Sequence, residues 1–372
     1  MVIRPRLARP VFALCTLATC AAPLAAQRWQ MQYLYGEAKS ALSIVDIQCP
    51  SASRCVAAGV ITQGGRVKFV ALVTSDGGAH WRTVTLKERP LSLFFLNEGF
   101  GWMVTEKGLW RTAEAGKSWT KLPNVRAPEL GGSISLNAKG LHMLHNARAP
   151  VLRVLFAGEN NGWAVCGNKT VLKTHDGARH WSSVRAAAEP PGDPRSSAYR
   201  WIAFATPQAG LIVGSTNPPP SGSLALGTTD GGNTWKSVPG SIFGEITLVR
   251  FGGAGTGLGL IEHAPSSQYP SEVLSLSWPS GKNEVVYRDE SFSVRDVWVT
   301  PGGVYYLAGL MAAGRRPSLV PQKVKVLKSS DLKEWTPVAA DDRAVANRAM
   351  LAGAGEDLWL ATDNGMILKL AP

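Results

Sequence analysis

The sequence predicts an all-β protein built as a ring of seven four-stranded blades, a β-propeller, and three observations carry that expectation. A turn of the form Ser/Thr-x-Asp-x-Gly-x-x-Trp recurs along the chain, and upstream of it an apolar strand ends six residues before a glycine that opens the next strand. The composition agrees: 39 Gly, 24 Pro and 13 Trp in 372 residues suit short strands joined by tight turns and exclude a helical bundle. Hydrophobic residues at 45% against 18% charged are enough for a sizeable core, which excludes a disordered chain.

Residues 1–26 read as a secretory leader. Arg4, Arg6 and Arg9 precede an apolar run over residues 11–22, which is too short to span a bilayer, and small residues lead to a cleavage point after Ala26. An alternative is a lipoprotein box, Leu17-Ala-Thr-Cys20, in which Cys20 would be acylated; Thr19 fits such a box poorly. Either route predicts an extracytoplasmic protein, periplasmic or secreted. Loss of the leader removes three arginines from a net charge of +12, leaving +9 and three cysteines. Residues 27–372 are then a single propeller, and no other stretch is apolar enough for a membrane span.

Residues 28–35 form a strand ahead of the first repeat. The last repeat stops at Leu370-Ala-Pro372 without an outer strand, so the leading strand is expected to complete the last blade and close the ring. Cys49 and Cys55 flank a Pro-Ser-Ala-Ser turn between two strand-like segments, so they can face each other across a hairpin and oxidise after export. Cys166 is left over and reads as a small core residue.

The boxes are centred on Asp76 with Trp81, Glu114 with Trp119, Asp176 with Trp181, Asp230 with Trp235 and Asp331 with Trp335, and a terminal fragment carries Asp363 without a Trp. The Asp accepts backbone N–H bonds in a tight turn, the glycine supplies a left-handed backbone angle, and the Trp opens the outer strand. Box two has Glu114 for Asp and box three has Ala178 for Gly, lapses that suit a structural turn better than a catalytic group. Phe95 and Gly101, Phe156 and Gly162, Phe204 and Gly210, and Phe251 and Gly257 share the six-residue spacing, and Cys49 and Cys55 stand at the same two template positions. The interval of 101 residues between Asp230 and Asp331 hides one unit without a box, expected over residues 243–288. Seven units of about 49 residues result, a propeller-blade length.

The box resembles the Asp box, or bacterial neuraminidase repeat. The fuller unit, Phe156-x5-Gly162-Trp-Ala-Val165 followed by Lys173-Thr-x-Asp176-Gly-x-x-x-Trp181, resembles the photosystem II assembly and stability factor group of seven-bladed propellers. The opening strand with Trp29 also resembles that group, and the likeness runs over nearly the whole mature chain. It implies a protein-binding or assembly scaffold rather than an enzyme. Residues 123–150, 214–222 and 311–322 read as insertions into the minimal unit.

Sialidases carry the same box, but their Arg-Ile-Pro segment is absent. Other glycosidases need two carboxylates across the scissile bond; Asp46, Glu245, Glu262, Asp296, Asp341 and Asp342 lie outside the boxes and form no recognisable pair. No catalytic residue is assigned, and a sialidase-like hydrolase or glycan-binding propeller is the alternative. His142 and His145 are a close pair without an acid or cysteine nearby, so no metal site is assigned, and no phosphate loop or other cofactor motif occurs.

An isoelectric point near 9.6 on an exported protein points to an acidic partner, and export argues against nucleic acid. The resemblance puts the boxes at the bottom of the ring and the starts of the inner strands at the opposite, functional face. Arg153, Arg200, Arg295 and Arg348 fall near those starts and are expected to ring the channel mouth and grip an acidic or extended segment of an envelope or secreted protein through forked hydrogen bonds. The competing expectation is that some of them pair with Asp46, Glu245 or Asp296. The protein is expected to be a monomer.

Overall fold

The computed structural model describes residues 27–123, 150–216, 223–238, 245–253, 255–264, 267–311, 321–341 and 343–371. The leader with Cys20, the His142/His145 pair, Asp342 and most of the three insertions lie outside the described residues.

Seven antiparallel sheets follow one another around a ring. Blade 1 shows the plan, with strands Ser40–Gln48, Cys55–Gln63, Arg66–Thr74 and Arg82–Leu86 paired in that order from the channel outward. The inner strands of blades 2 to 7 are Pro90–Phe95, Val151–Phe156, Ala198–Phe204, Glu245–Gly253, Phe292–Val299 and Ala349–Ala354. Blade 5, with strands from Glu245 to Arg288, is the unit without a box. In blade 6 a short strand, Val345–Ala346, also pairs with the third strand, Gln322–Ser329. The leading strand Arg28–Leu34 pairs antiparallel with Met366–Ala371 as the outer strand of blade 7, so the chain's two ends close the ring within one sheet.

The core is divided among the blade junctions. Each of seven apolar clusters joins two neighbouring blades, and the one holding Leu42, Ile44, Leu72, Trp359 and Ile367 ties blade 7 to blade 1. This packing explains the sequence repeat. In blades 2 to 5 the Phe ring at or near the end of the inner strand lies on a glycine at or next to the start of the second; a Cβ on Gly101, Gly162, Gly210 or Gly257 would stand 2.5–2.9 Å from that ring. Blade 1 replaces the pair with the Cys49–Cys55 disulfide. Cys166 is buried and unpaired.

The box turns fold as their sequence predicts. Thr74 Oγ1 donates to Asp76 Oδ1 at 2.8 Å and accepts from Gly78 N at 3.0 Å, while His80 N donates to Asp76 Oδ1 at 3.0 Å. Boxes three and four repeat this arrangement around Asp176 and Asp230, and Ser329 and Asp331 give a shortened version. In box two Glu114 instead accepts from the Ser118 hydroxyl at 2.6 Å, its longer side chain reaching past the amides. The turns of boxes one to four also each donate a backbone N–H to the turn between their blade's first two strands, as in Gly77 N to Ser53 O at 2.9 Å and Gly231 N to Gln208 O at 2.8 Å. The boxes therefore sit at the end where inner strands finish, opposite the end where they begin.

The fragment around Asp363 is not a box: it joins the second and third strands of blade 7, Asp357–Thr362 and Met366–Ala371, at the end where inner strands begin, whereas the boxes join third and fourth strands at the other end. Its local bonding is similar all the same, Thr362 Oγ1 donating to Asn364 Oδ1 at 2.5 Å and accepting from Met366 N at 3.2 Å. Asp363 instead accepts the amides of Asn347 and Arg348, at 2.9 and 3.0 Å, capping the approach to the inner strand of blade 7.

Candidate functional site

Six of the seven inner strands shift register by one residue near the middle: between Ile44 and Asp46, Pro90 and Ser92, Val151 and Arg153, Tyr199 and Trp201, Ile246 and Leu248, and Val294 and Asp296. Such a bulge re-aims the side chain that follows it. The six residues after the shifts, Asp46, Ser92, Arg153, Trp201, Leu248 and Asp296, therefore share one level of the channel.

One chain of contacts crosses the inner strands of all seven blades at this level. Asp46 accepts from Ile47 N at 2.9 Å and from Leu93 N of blade 2 at 2.8 Å, and Arg153 Nη1 reaches its Oδ2 at 3.5 Å. The Arg153 guanidinium lies 3.8 Å from the centre of the Trp201 ring, and Arg250 approaches Trp201 at 5.2 Å and Trp298 at 4.7 Å. Arg250 then makes a fork with Asp296, both bonds 3.2 Å, and donates to Leu351 O at 3.2 Å. Asp296 also accepts from Val297 N and from Leu351 N of blade 7, each at 2.8 Å. Asp46 and Asp296 are thus counterparts: each holds its own strand and the next blade's, and each faces one arginine.

The two arginines differ in how fully they are satisfied. Arg250 spends Nε and Nη2 on three bonds, whereas among the described residues Arg153 has one hydrogen-bond partner, at the outer limit of distance. Burial pulls the Arg153 pKa below its ordinary value; Asp46 opposes this and the neighbouring positive charges of Arg250 and Arg348 add to it. Beside this cluster lies a cavity of about 210 Å³ in the box-side half of the channel, lined by Arg153, Arg250, Trp201, Trp298, Phe94 and Leu155 among others.

The four arginines expected at the channel mouth do not form one layer. Arg153 follows its bulge and turns into the channel, where it meets Asp46 as the competing expectation had it. Arg200 and Arg295 are themselves the bulged residues of blades 4 and 6 and are exposed. Arg200 Nε donates to Ser215 Oγ at 3.4 Å, and Arg295 pairs with Glu262 of blade 5 at 3.1 Å. Arg348 is exposed ahead of its strand and close enough to Arg153 to act on it electrostatically. Arg250 lies in the second half of its strand, away from the strand start where the sequence places channel-mouth arginines. Its signal was alternation: Arg250 directly precedes Phe251, as Leu155 precedes Phe156, and that position lines the channel.

The aspartates of this level spend their oxygens on two amides and a guanidinium each. Among the described residues no group of three or more His, Cys, Asp and Glu side chains is placed to hold a metal ion. No helix among them is long and apolar enough to cross a membrane.

Comparisons with known proteins agree with this architecture. The family described as Photosynthesis system II assembly factor YCF48 matches residues 136–243. A structure of YCF48 bound to D1 peptide is 16% identical, with a TM-score of 0.60 over 93% of this chain and 96% of that one. YCF48 from Cyanidioschyzon merolae is likewise 16% identical, with a TM-score of 0.58 over 93% and 99%. An ancestral GH74 enzyme shares the fold more distantly, at 11% identity and a TM-score of 0.54 over 91% of this chain and 46% of the enzyme. No curated protein matches the sequence. The chain is a seven-bladed propeller resembling the photosystem II assembly factor group.

Proposed function

We propose that this protein is an exported, non-catalytic scaffold that holds a segment of another envelope or secreted protein. The observation that carries the reading is the likeness, over almost the whole chain, to YCF48 propellers, one of them seen with a D1 peptide. Its support from the residues is the arginine-bearing face where the inner strands begin. Arg200, Arg295 and Arg348 are exposed there, and a segment rich in carboxylates would meet donors suited to forked hydrogen bonds. The partner is defined by that chemistry and not by photosynthesis, since one propeller fold serves many functions. Export rests on the leader at residues 1–26.

The test is a pull-down from envelope extract with the mature protein and with an Arg153, Arg200, Arg295 and Arg348 to Glu variant, both first shown to fold. A specific protein retained by the first and lost by the second, identified by mass spectrometry, is the expected result. Retention unchanged by the four reversals would refute the arginine face; retention of polysaccharide alone would move the reading to a glycan-binding or glycan-cleaving propeller. Because Arg153 lies within the channel network, the Arg200, Arg295 and Arg348 triple variant is run beside it to isolate the exposed face.

A further inference from the structure

We propose that the box-side half of the channel is a binding site for a small organic carboxylate with a flat, apolar body. It is separate from the face assigned to a protein segment. The Arg153 and Arg250 sites are built alike, an aspartate after a bulge tied to two backbone amides and facing one guanidinium, yet only one of them is complete. Arg250 fills its place with a fork of two 3.2 Å bonds and a third to a carbonyl. Arg153, with only 19% of its side chain exposed, reaches Asp46 with a single 3.5 Å contact. Among the described residues the Arg153 guanidinium has that one contact and the Trp201 face, leaving N–H groups free to donate to a ligand in the cavity.

The surroundings say what would meet them. Asp46 accepts one backbone amide on each oxygen, as Asp296 does, but where Asp296 also takes the Arg250 fork, Asp46 takes only the 3.5 Å contact from Arg153. Two arginines, Arg153 and Arg250, line the cavity and each faces one aspartate, while Arg348, exposed beyond it, adds a positive charge that acts on Arg153. A cation is disfavoured by that added charge and because the Trp201 and Trp298 rings, which would attract it, already face guanidinium groups. A planar carboxylate matches the guanidinium fork. The other walls are mostly apolar, Trp201, Trp298, Phe94, Leu155 and Val249 among them, with Gln48 the one other polar side chain, and they ask for an apolar body. A volume of about 210 Å³ corresponds to roughly seven waters, room for a single aromatic ring on a short acid chain.

The probe is 3-phenylpropionate, with 3-phenylpropionamide as its uncharged twin, titrated by calorimetry into the folded wild-type protein. The expected result is saturable binding of the acid at least about tenfold tighter than the amide, the difference of one charge-assisted contact. Arg153→Gln is expected to abolish that preference. Leu155→Phe, which narrows the cavity without touching a charge, is expected to weaken both ligands. Equal affinity for acid and amide overturns the proposal, as does binding of neither up to roughly 10 mM, where specific recognition has vanished. If a peptide ending in Phe binds and the free acid does not, the occupant is a protein terminus and the proposal fails. The acid and amide comparison needs no variant, so a misfolded Arg153→Gln leaves the proposal open to refutation.

Discussion

Replacing Gly232 with alanine separates the two demands a box glycine meets. Its φ of +80° lies where a Cβ costs about 1–2 kcal/mol. A Cβ there would also stand 2.2 Å from the Trp163 ring of the preceding blade, which is held edge-on against Trp235 with ring centres 6.2 Å apart. Overpacking of that kind adds about 1–3 kcal/mol, so Gly232→Ala is expected to destabilise by about 2–5 kcal/mol in all. Gly281 is the control, because its φ is +74° with nothing within 4 Å of the added carbon. Gly281→Ala should cost only the conformational part, about 1–2 kcal/mol. The assay is urea unfolding of both variants beside wild type, followed by fluorescence and circular dichroism together. A Gly232→Ala loss no larger than that of Gly281→Ala would refute the claim that the box glycine exists to admit the neighbour's Trp. The third box already carries Ala178 at φ +74°, so the left-handed angle alone does not exclude a methyl group.

Three further outcomes follow from the same geometry. Replacing Cys49 and Cys55 by serine should cost about 2–2.5 kcal/mol from the freed six-residue loop, and Cys49→Phe with Cys55→Gly, which restores the pair used in blades 2 to 5, should unfold at higher urea than the serine double variant. Hydrogen bonds from the Thr234 hydroxyl, then its amide and Thr228, hold the Asp230 carboxyl at about 2, below its ordinary value. That contribution to stability is present above pH 4 and is lost as the pH falls through about 2, so the melting-temperature gap between wild type and Asp230→Asn should close in acid; a gap constant with pH would contradict it. Burial pushes the Cys166 thiol up to about 12, so a disulfide reagent should leave it untouched at pH 8 in the native protein and titrate one thiol after unfolding; rapid native labelling would show the site to be open.

Much of the fold was legible in single stretches of chain. A box turn closes within eight residues, and its Thr-to-Asp and amide-to-Asp bonds span two to four positions, so a short pattern encodes them completely. The seven units, the boxless blade expected over residues 243–288 and observed from Glu245 to Arg288, and the closing strand beginning at Arg28 followed from counting such patterns. The fragment at Asp363 misled because a short Thr-Asp-Asn-Gly pattern does not say which pair of strands it joins; here it joins the second and third of blade 7.

The candidate site was legible only in part. Arg153 and Asp46 were both visible as candidates, but Arg250 was passed over, and the four arginines were assigned to one layer that the bulges divide. A bulge moves one residue out of register and reverses which neighbour faces the channel, and nothing local to Arg200 or Arg295 announces it.

By itself the sequence determined the repeat, the turns, the disulfide and the closure of the ring, because each depends on residues near one another in the chain or on an end left without a partner strand. The tertiary structure alone decided which charges meet in the channel. Arg153 and Asp46 are 107 residues apart, Arg250 and Asp296 46, and Asp296 and Leu351 55. Those distances are bridged only when seven blade junctions close around one axis and bring every inner strand to the same narrow space.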